Sequence, residues 1–351
     1  PNAGLYDSGT GEELFGFIPY STLNDLENFV PGDLTTHAYY VDGSPRVADV
    51  WIDSNNDGVK QSSEWRTVLI GGLRKGGSIY YALDVTDPPS GSDYSNYPRV
   101  LWEFSDPSHL GESWSEPFIG KVKIRKTGWS SERDRWVAVF GGGPSPGGTI
   151  GYSLTVLDID TGAALKTFTT GIDNAIPASP TAVLDANGYI KFVYASDLDG
   201  SVYKFDFRST GLESDSYAGW SVNKIFQAPA GQPVYHRIEA ASVNDTTRYL
   251  YFGTGNQDFP VSDGGTGKFF AVLDTDSNTT LRTQSDLANL SSSITSTSGG
   301  TPTSNGWYIS FASVPSTAVD NNTHSGEKVL SDPVVFYNNV FFTTFTPDTA
   351  N

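Results

Sequence analysis

Residues 53–64 read Asp-Ser-Asn-Asn-Asp-Gly-Val-Lys-Gln-Ser-Ser-Glu, a twelve-residue calcium-loop pattern. Asp53, Asn55 and Asp57 stand at positions one, three and five, and Gly58 at the sharp turn at position six. Val59 offers its backbone carbonyl at seven, Gln61 holds a water at nine, and Glu64 closes the set at twelve. Ca²⁺ is a hard ion that takes six to eight oxygens, and alternate residues of a tightly wound loop turn their oxygens inward. The competing reading is a polar hairpin turn, because Asp and Asn are common in turns and the flanking segments need a connection. Strand-like rather than helical segments flank the loop. The expectation is therefore an EF-hand-like site with a structural or modulatory role, without the opening motion of a sensor.

The remaining chemistry-bearing residues are less organised. Asp197-Leu198-Asp199-Gly200 and Asp274-Thr275-Asp276-Ser277-Asn278 are acidic but lack a complete ligand spacing, and read as turns. His37, His109, His236 and His324 are scattered, with no zinc-type pair. There is no Gly-x-Ser-x-Gly elbow, P-loop or His-Glu-x-x-His. The absence of Cys excludes a thiol nucleophile, a disulfide framework and a Cys-based metal site. Carboxylate pairs for glycoside hydrolysis are spatial, and among 40 Asp and Glu no pair stands out. Trp114, Trp129, Trp220 and Trp307 lie in polar surroundings; exposed, they would suit adhesion to glycans or a protein, and the alternative is burial under loops.

The elements that must position these residues are strands. An apolar run ending in Asp, then a turn and a returning strand, recurs at Leu5–Asp7, Ile79–Asp84, Leu154–Asp158, Val202–Asp206 and Phe269–Asp274. The Asp accepts backbone N–H groups two residues on and closes the turn. Repetition at intervals of about 45 to 80 residues predicts propeller blades with insertions. Preceding strands are legible at Arg46–Ile52, Trp65–Gly72, Trp136–Phe140, Thr181–Asp185, Ile190–Ala195 and Tyr249–Gly255. Several run into glycines that would let inner strands crowd around an axis. A last hairpin covers Pro333–Phe336 and Val340–Phe345. Short helices are predicted over Ser21–Phe29 and Thr283–Ser291, and a long mobile surface loop over Ser291–Gly306.

Composition agrees. The 351 residues include 37 Gly, 20 Pro and 13% aromatics, which fits turns and short strands. A net charge of −18 opposes nucleic acid or an anionic membrane as partner. No apolar run reaches the length of a membrane helix, so no membrane insertion is expected. Residues 1–351 are read as a single all-β propeller domain of about seven blades. Pro1 is not a translation start, and the chain reads as a mature fragment shortened at both ends.

Thr10–Phe15 with Phe17-Ile18-Pro19, Tyr40–Pro45, Trp65–Leu73, Gly76–Pro88, and Ser331–Phe336 with Phe342–Pro347 form an ordered set. Together they resemble the C-terminal propeller of PilY1/PilC-type proteins, the tip-associated adhesins and assembly factors of type IV pili. The resemblance implies a modified seven-bladed propeller at the pilus tip, cell surface or outer membrane. It implies roles in fimbrium biogenesis, extension against retraction, twitching motility and surface adhesion. Minor pilins and a host or abiotic surface receptor are the implied partners. Ca²⁺ is the implied cofactor, held in an EF-hand-like loop whose family pattern has an acidic residue at position nine; Gln61 departs from it, and Glu64 is the replacement. Some members carry Arg-Gly-Asp, which this chain lacks. The final strands either belong to a truncated last blade, the favoured reading, or pair with Gly4–Phe17 to close the ring. A non-enzymatic role is expected. The alternatives are a quinone-cofactor dehydrogenase, whose propellers share the Tyr-Ala-Leu-Asp and Asp-x-x-Thr-Gly turns, and a glycan-binding or glycan-hydrolysing propeller.

Overall fold

The computed structural model describes residues 13, 15–28, 37–89, 95–208, 215–293, 304–313 and 326–347. Their strands form successive antiparallel sheets that follow the chain. The first blade is β1 (Arg46–Trp51), β2 (Trp65–Gly72), β3 (Tyr80–Asp84) and β4 (Arg99–Phe104). The second is β5 (Phe118–Ile124), β6 (Arg133–Gly141), β7 (Leu154–Asp158) and β8 (Ala164–Phe168). The third holds β9 (Thr181–Leu184), β10 (Ile190–Ser196), β11 (Ser201–Asp206) and β12 (Ser221–Gln227). The fourth is built on β13 (Glu239–Asn244), β14 (Thr247–Gly253) and β15 (Lys268–Thr275). After it, β16 (Arg282–Thr283) pairs in parallel with β12 of the third blade. Then β17 (Ala288–Asn289) and β18 (Gly306–Ser310) complete the fourth sheet, and β19 (Val334–Phe336) with β20 (Asn339–Phe341) forms a hairpin. The all-β propeller expected from the repeat is thus the observed architecture, with four blade sheets and one hairpin among the described residues.

The period-two alternation of each strand sends its residues to two neighbours at once. Val137 and Val139 of β6 pack toward the third blade, while Ala138 and Phe140 pack toward the first. Phe192 and Tyr194 of β10 face the fourth blade, and Val193 and Ala195 face the second. The core is therefore a series of apolar layers between sheets. A further layer, Leu73, Tyr81 and Leu83, is covered by Phe15 and Phe17. This explains why the middle strands read as unbroken apolar runs.

The first strands converge. One cleft is lined by the starts of β1, β5 and β9 together with Arg237 just ahead of β13, which places an axis beside these strands. Strand β1 leaves this axial end at Arg46 and delivers the chain, roughly 20 Å away, to Trp51, where the 53–64 loop begins. The strand-end glycines lie on the second strands, not the innermost ones. A Cβ on Gly72 would stand 2.7 Å from the Ser113 carbonyl oxygen, on Gly141 2.3 Å from that of Ile176, and on Gly253 2.2 Å from Val329 Cβ. Each gives way to the segment entering the next sheet.

The Asp turns behave as expected at Asp84, Asp158 and Asp206, whose Oδ1 atoms accept the N–H of Thr86, Asp160 and Arg208 at 3.1, 3.1 and 2.9 Å. Asp274 differs. It is fully buried and accepts from Tyr194 Oη at 2.6 Å and Lys204 Nζ at 3.2 Å.

The helix expected over 21–29 is a 3-10 helix, Tyr20–Asn28, whose Ser21 N–H is accepted by Glu103 of β4 at 3.2 Å. The one expected over Thr283–Ser291 is not formed. Gln284–Asp286 makes a 3-10 turn and Ser291 opens another, Ser291–Ser293, because the residues between and before them hydrogen-bond to β12 and β18 instead. The loop expected at Ser291–Gly306 falls largely outside the described residues, as does most of Gly4–Phe17. The described residues of that N-terminal segment do not pair with β19 or β20.

Candidate metal centre

The 53–64 segment connects β1 to β2, and its base is closed by Ile52 N–H donating to the Glu64 carbonyl at 3.0 Å. Two residues adopt left-handed backbone, Asn56 at φ 58° and Gly58 at φ 75°. That wraps the chain tightly enough for side-chain oxygens to meet backbone N–H groups. Asn55 Oδ1 accepts Asp57 N–H at 3.0 Å, Asp57 Oδ1 accepts Val59 N–H at 2.7 Å, and Asp53 Oδ2 accepts Gly58 N–H at 3.1 Å. Gln61 reaches back through Nε2 to Asp57 Oδ2 at 3.2 Å.

Glu64 ends a 3-10 turn, Ser62–Glu64, for which Gln61 is the cap. Its Oε2 accepts Gln61 N–H at 3.2 Å and Trp51 Nε1–H at 2.8 Å. Asp53 and Glu64 are 1% and 3% exposed, whereas Asn55, Asp57, Val59 and Gln61 are exposed. One oxygen on each buried carboxylate, Asp53 Oδ1 and Glu64 Oε1, is enclosed and has no hydrogen-bond partner. A buried carboxylate oxygen without a partner is costly, and a hard cation or an ordered water is what satisfies it. The donor set is all oxygen, which suits Ca²⁺ rather than a softer metal.

Two cations that the sequence reading did not connect to the loop arrive from the second blade. Arg133 Nη1 approaches Asp53 Oδ2 at 3.5 Å and also donates to the Asn56 carbonyl, and Arg135 Nη2 donates to Asn56 Oδ1 at 3.2 Å. Lys60 pairs with Asp134. The loop is thereby fixed to the neighbouring sheet, and one oxygen of Asp53 is shared with a guanidinium while the other stays open. Among the described residues no three His, Asp or Glu side chains gather on one point. The alternation Arg133-Asp134-Arg135 was the available signal, with two cations on one strand face.

The other sequence candidates are structural. Asp197 Oδ1 accepts Asp199 and Ser201 N–H at 3.0 and 2.8 Å, and Oδ2 accepts Tyr203 Oη at 2.7 Å. Burial pushes the Asp197 carboxyl upward despite these bonds. His109 pairs with Asp106 and His236 with Asp332, His37 lies against Tyr39, and His324 is outside the described residues. Trp220 is buried against Phe207, so it is not an adhesive surface. Trp129 is partly covered and stacked by Arg133 and Arg135, and Trp307 packs beside Phe269. Trp114 lines a cavity.

The family described as the PilY1 β-propeller domain matches residues 21–284. The type IV pilus biogenesis factor PilY1 of Pseudomonas aeruginosa PAO1 is 26% identical over 398 aligned residues, covering 96% of this chain and 31% of that protein. A PilY1 homolog of Xylella fastidiosa is 31% identical over 261 residues, covering 71% of this chain and 18% of the homolog. The chain therefore spans less than a third of the length of these curated relatives. The crystal structure of the P. aeruginosa PilY1 C-terminal domain superposes with a TM-score of 0.68 at 24% identity, covering 96% of this chain and 73% of that one, which establishes a shared fold.

Proposed function

The chain belongs to the PilY1 β-propeller family, and on that premise we propose that it is a calcium-holding, non-enzymatic propeller acting in type IV pilus biogenesis. The observation that carries the calcium part is the pair of enclosed, unpartnered oxygens on Asp53 and Glu64 at positions one and twelve of the loop. Asp53, Asn55, Asp57, the Val59 carbonyl, Gln61 through water, and Glu64 would hold the ion. A bound Ca²⁺ would add a charge that ties the exposed loop to the buried ends of β1 and β2.

The pilus role rests on the relatives named above, and with it the pilus tip or cell surface as location and minor pilins as partners. On this reading the propeller acts in extension against retraction, in twitching motility and in adhesion to a host or abiotic receptor. It holds a surface and an ion, and transforms no substrate. The test is genetic and biochemical together. Removal of this segment in its native host should reduce surface pili and twitching zones, and pull-down should recover minor pilins. Normal piliation and twitching after removal would overturn the pilus role. Turnover of an alcohol with added quinone and a dye acceptor would overturn the non-enzymatic reading.

A further inference from the structure

The end of β1 opposite the calcium-type loop carries a cavity of about 460 Å³, within the range of small-ligand sites. Its wall is assembled from the same place in every sheet, the residues just ahead of the first strand. Ser44 precedes β1, Trp114 β5, Ser179 β9, Tyr235 β13 and Asp332 β19, and Gln257 joins them from the turn between β14 and β15. Hydrogen bonds fix these entries to one another. Glu116 N–H donates to Ser179 Oγ at 3.1 Å, Ser115 Oγ to the Ala178 carbonyl at 3.0 Å, and Arg237 N–H to Asp332 Oδ1 at 3.0 Å.

The charges of the wall cancel in pairs. Arg74 lies 3.3 Å from Asp42, Arg237 and His236 each lie 3.5 Å from Asp332, and Glu116 pairs with Arg46. In a chain of net charge −18 this cavity therefore offers neither the field that captures an anion nor an unshared carboxylate cluster that captures a cation. It offers donors and acceptors held in place by their own ion pairs. The Gln257 amide has no partner among the described residues. An aromatic corner completes the wall, with Trp114 and Tyr235 ring centroids 5.9 Å apart; Arg74 and Lys75, the latter paired with Asp258, lie over the Trp114 ring at 4.6 and 5.3 Å, and Trp114 Nε1 donates to Glu112.

We propose that this axial cavity binds a neutral saccharide, its C–H face packed on the Trp114–Tyr235 corner and its hydroxyls bonded to Gln257 and to the Arg–Asp pairs. Aromatic rings match the apolar face of a sugar, and paired guanidinium and carboxylate groups match adjacent hydroxyls, each of which donates and accepts. A charged peptide is disfavoured, because each attractive group has an opposing one beside it. A ligand here would touch every sheet and so stabilise the ring by binding the folded state alone.

The test uses the 351-residue chain on an array of neutral and sialylated oligosaccharides, followed by calorimetric titration with the free form of the strongest neutral binder. Neutral glycans should bind, and Trp114→Ala and Gln257→Leu should each weaken binding by about tenfold or more. Replacing Ca²⁺ with EDTA should leave it unchanged, which separates this site from the calcium-type loop. The proposal fails if no neutral glycan binds, if sialylated glycans or charged peptides bind preferentially, or if folded Gln257→Leu keeps full affinity. Should Trp114→Ala not fold, Gln257→Leu decides, since its side chain bonds nothing in the wall.

Discussion

Trp51 Nε1 donates to Glu64 Oε2 at 2.8 Å, joining the last residue of β1 to the last residue of the loop. The same two strand ends are in register, Trp51 opposite Trp65. Glu64 thus has a structural task apart from any ion. Glu64→Ala would strand the buried indole N–H and the Gln61 N–H, an expected loss of about 1–3 kcal/mol even in chelator. Asp57→Ala removes an exposed carboxylate whose bonds to Val59 N–H and Gln61 water can replace, and should cost less, about 0.5–1 kcal/mol, under those conditions. Urea denaturation of both variants in EDTA checks the contrast, and equal losses would remove Glu64 from this role.

Asp53→Ala tests the ion itself. Calcium at a hundredfold excess over its dissociation constant should stabilise the parent chain by about 2.7 kcal/mol. The variant should show no rise in melting temperature between EDTA and millimolar Ca²⁺. An unchanged calcium-dependent rise in Asp53→Ala would place the ion elsewhere.

The twelve-residue spacing and the Asp turns were legible because both depend on neighbours along the chain, as at Asp84, Asp158 and Asp206. What joins blades was not. Arg133 and Arg135 reach Asn56 across 77 and 79 residues, and Asp274 gives up its turn to neutralise Lys204 across 70. The axial cavity had a local trace that went unread. Ser44-Pro45, Glu116-Pro117, Ser179-Pro180 and Asp332-Pro333 each stand just before a first strand. Proline there holds the entering chain extended and removes a donor at an unpaired position. The 283–291 helix failed for the opposite reason: Thr283 and Asp286 form a capping box, but two sheet edges claim the flanking backbone.

Acid should loosen the contact between the third and fourth blades. Burial alone would raise the Asp276 carboxyl, but hydrogen bonds from Arg248 and Lys191 hold it below its ordinary value. A folded-state pKa below the unfolded one means that the unfolded chain takes up the proton first. The contribution is therefore complete above about pH 4 and is lost as pH falls through the lowered value. Asp276→Asn should lower the melting temperature at pH 7 and flatten its decline between about pH 5 and 2. A parallel downward offset at every pH would show that the carboxylate's titration has no part in acid stability.

Two glycines in one loop separate crowding from backbone strain, and the crowded one bears on the axial cavity. Gly143 and Gly147 have nearly the same left-handed backbone, φ 69° and 70°. A Cβ on Gly147 would meet nothing within 4 Å, whereas one on Gly143 would lie 1.7 Å from the Glu112 carbonyl oxygen. Gly147→Ala should therefore lose about 1–2 kcal/mol, the left-handed penalty of an L-residue. Gly143→Ala must in addition push away the 111–114 segment, whose Glu112 N–H donates to the Pro144 carbonyl at 2.7 Å and which carries Trp114 into the cavity wall. Its loss should exceed that of Gly147→Ala by about 2 kcal/mol or more, since nothing cheap can move. Chemical denaturation of the pair measures the difference. Equal losses would mean that the Glu112 segment yields freely and does not hold Trp114 in place.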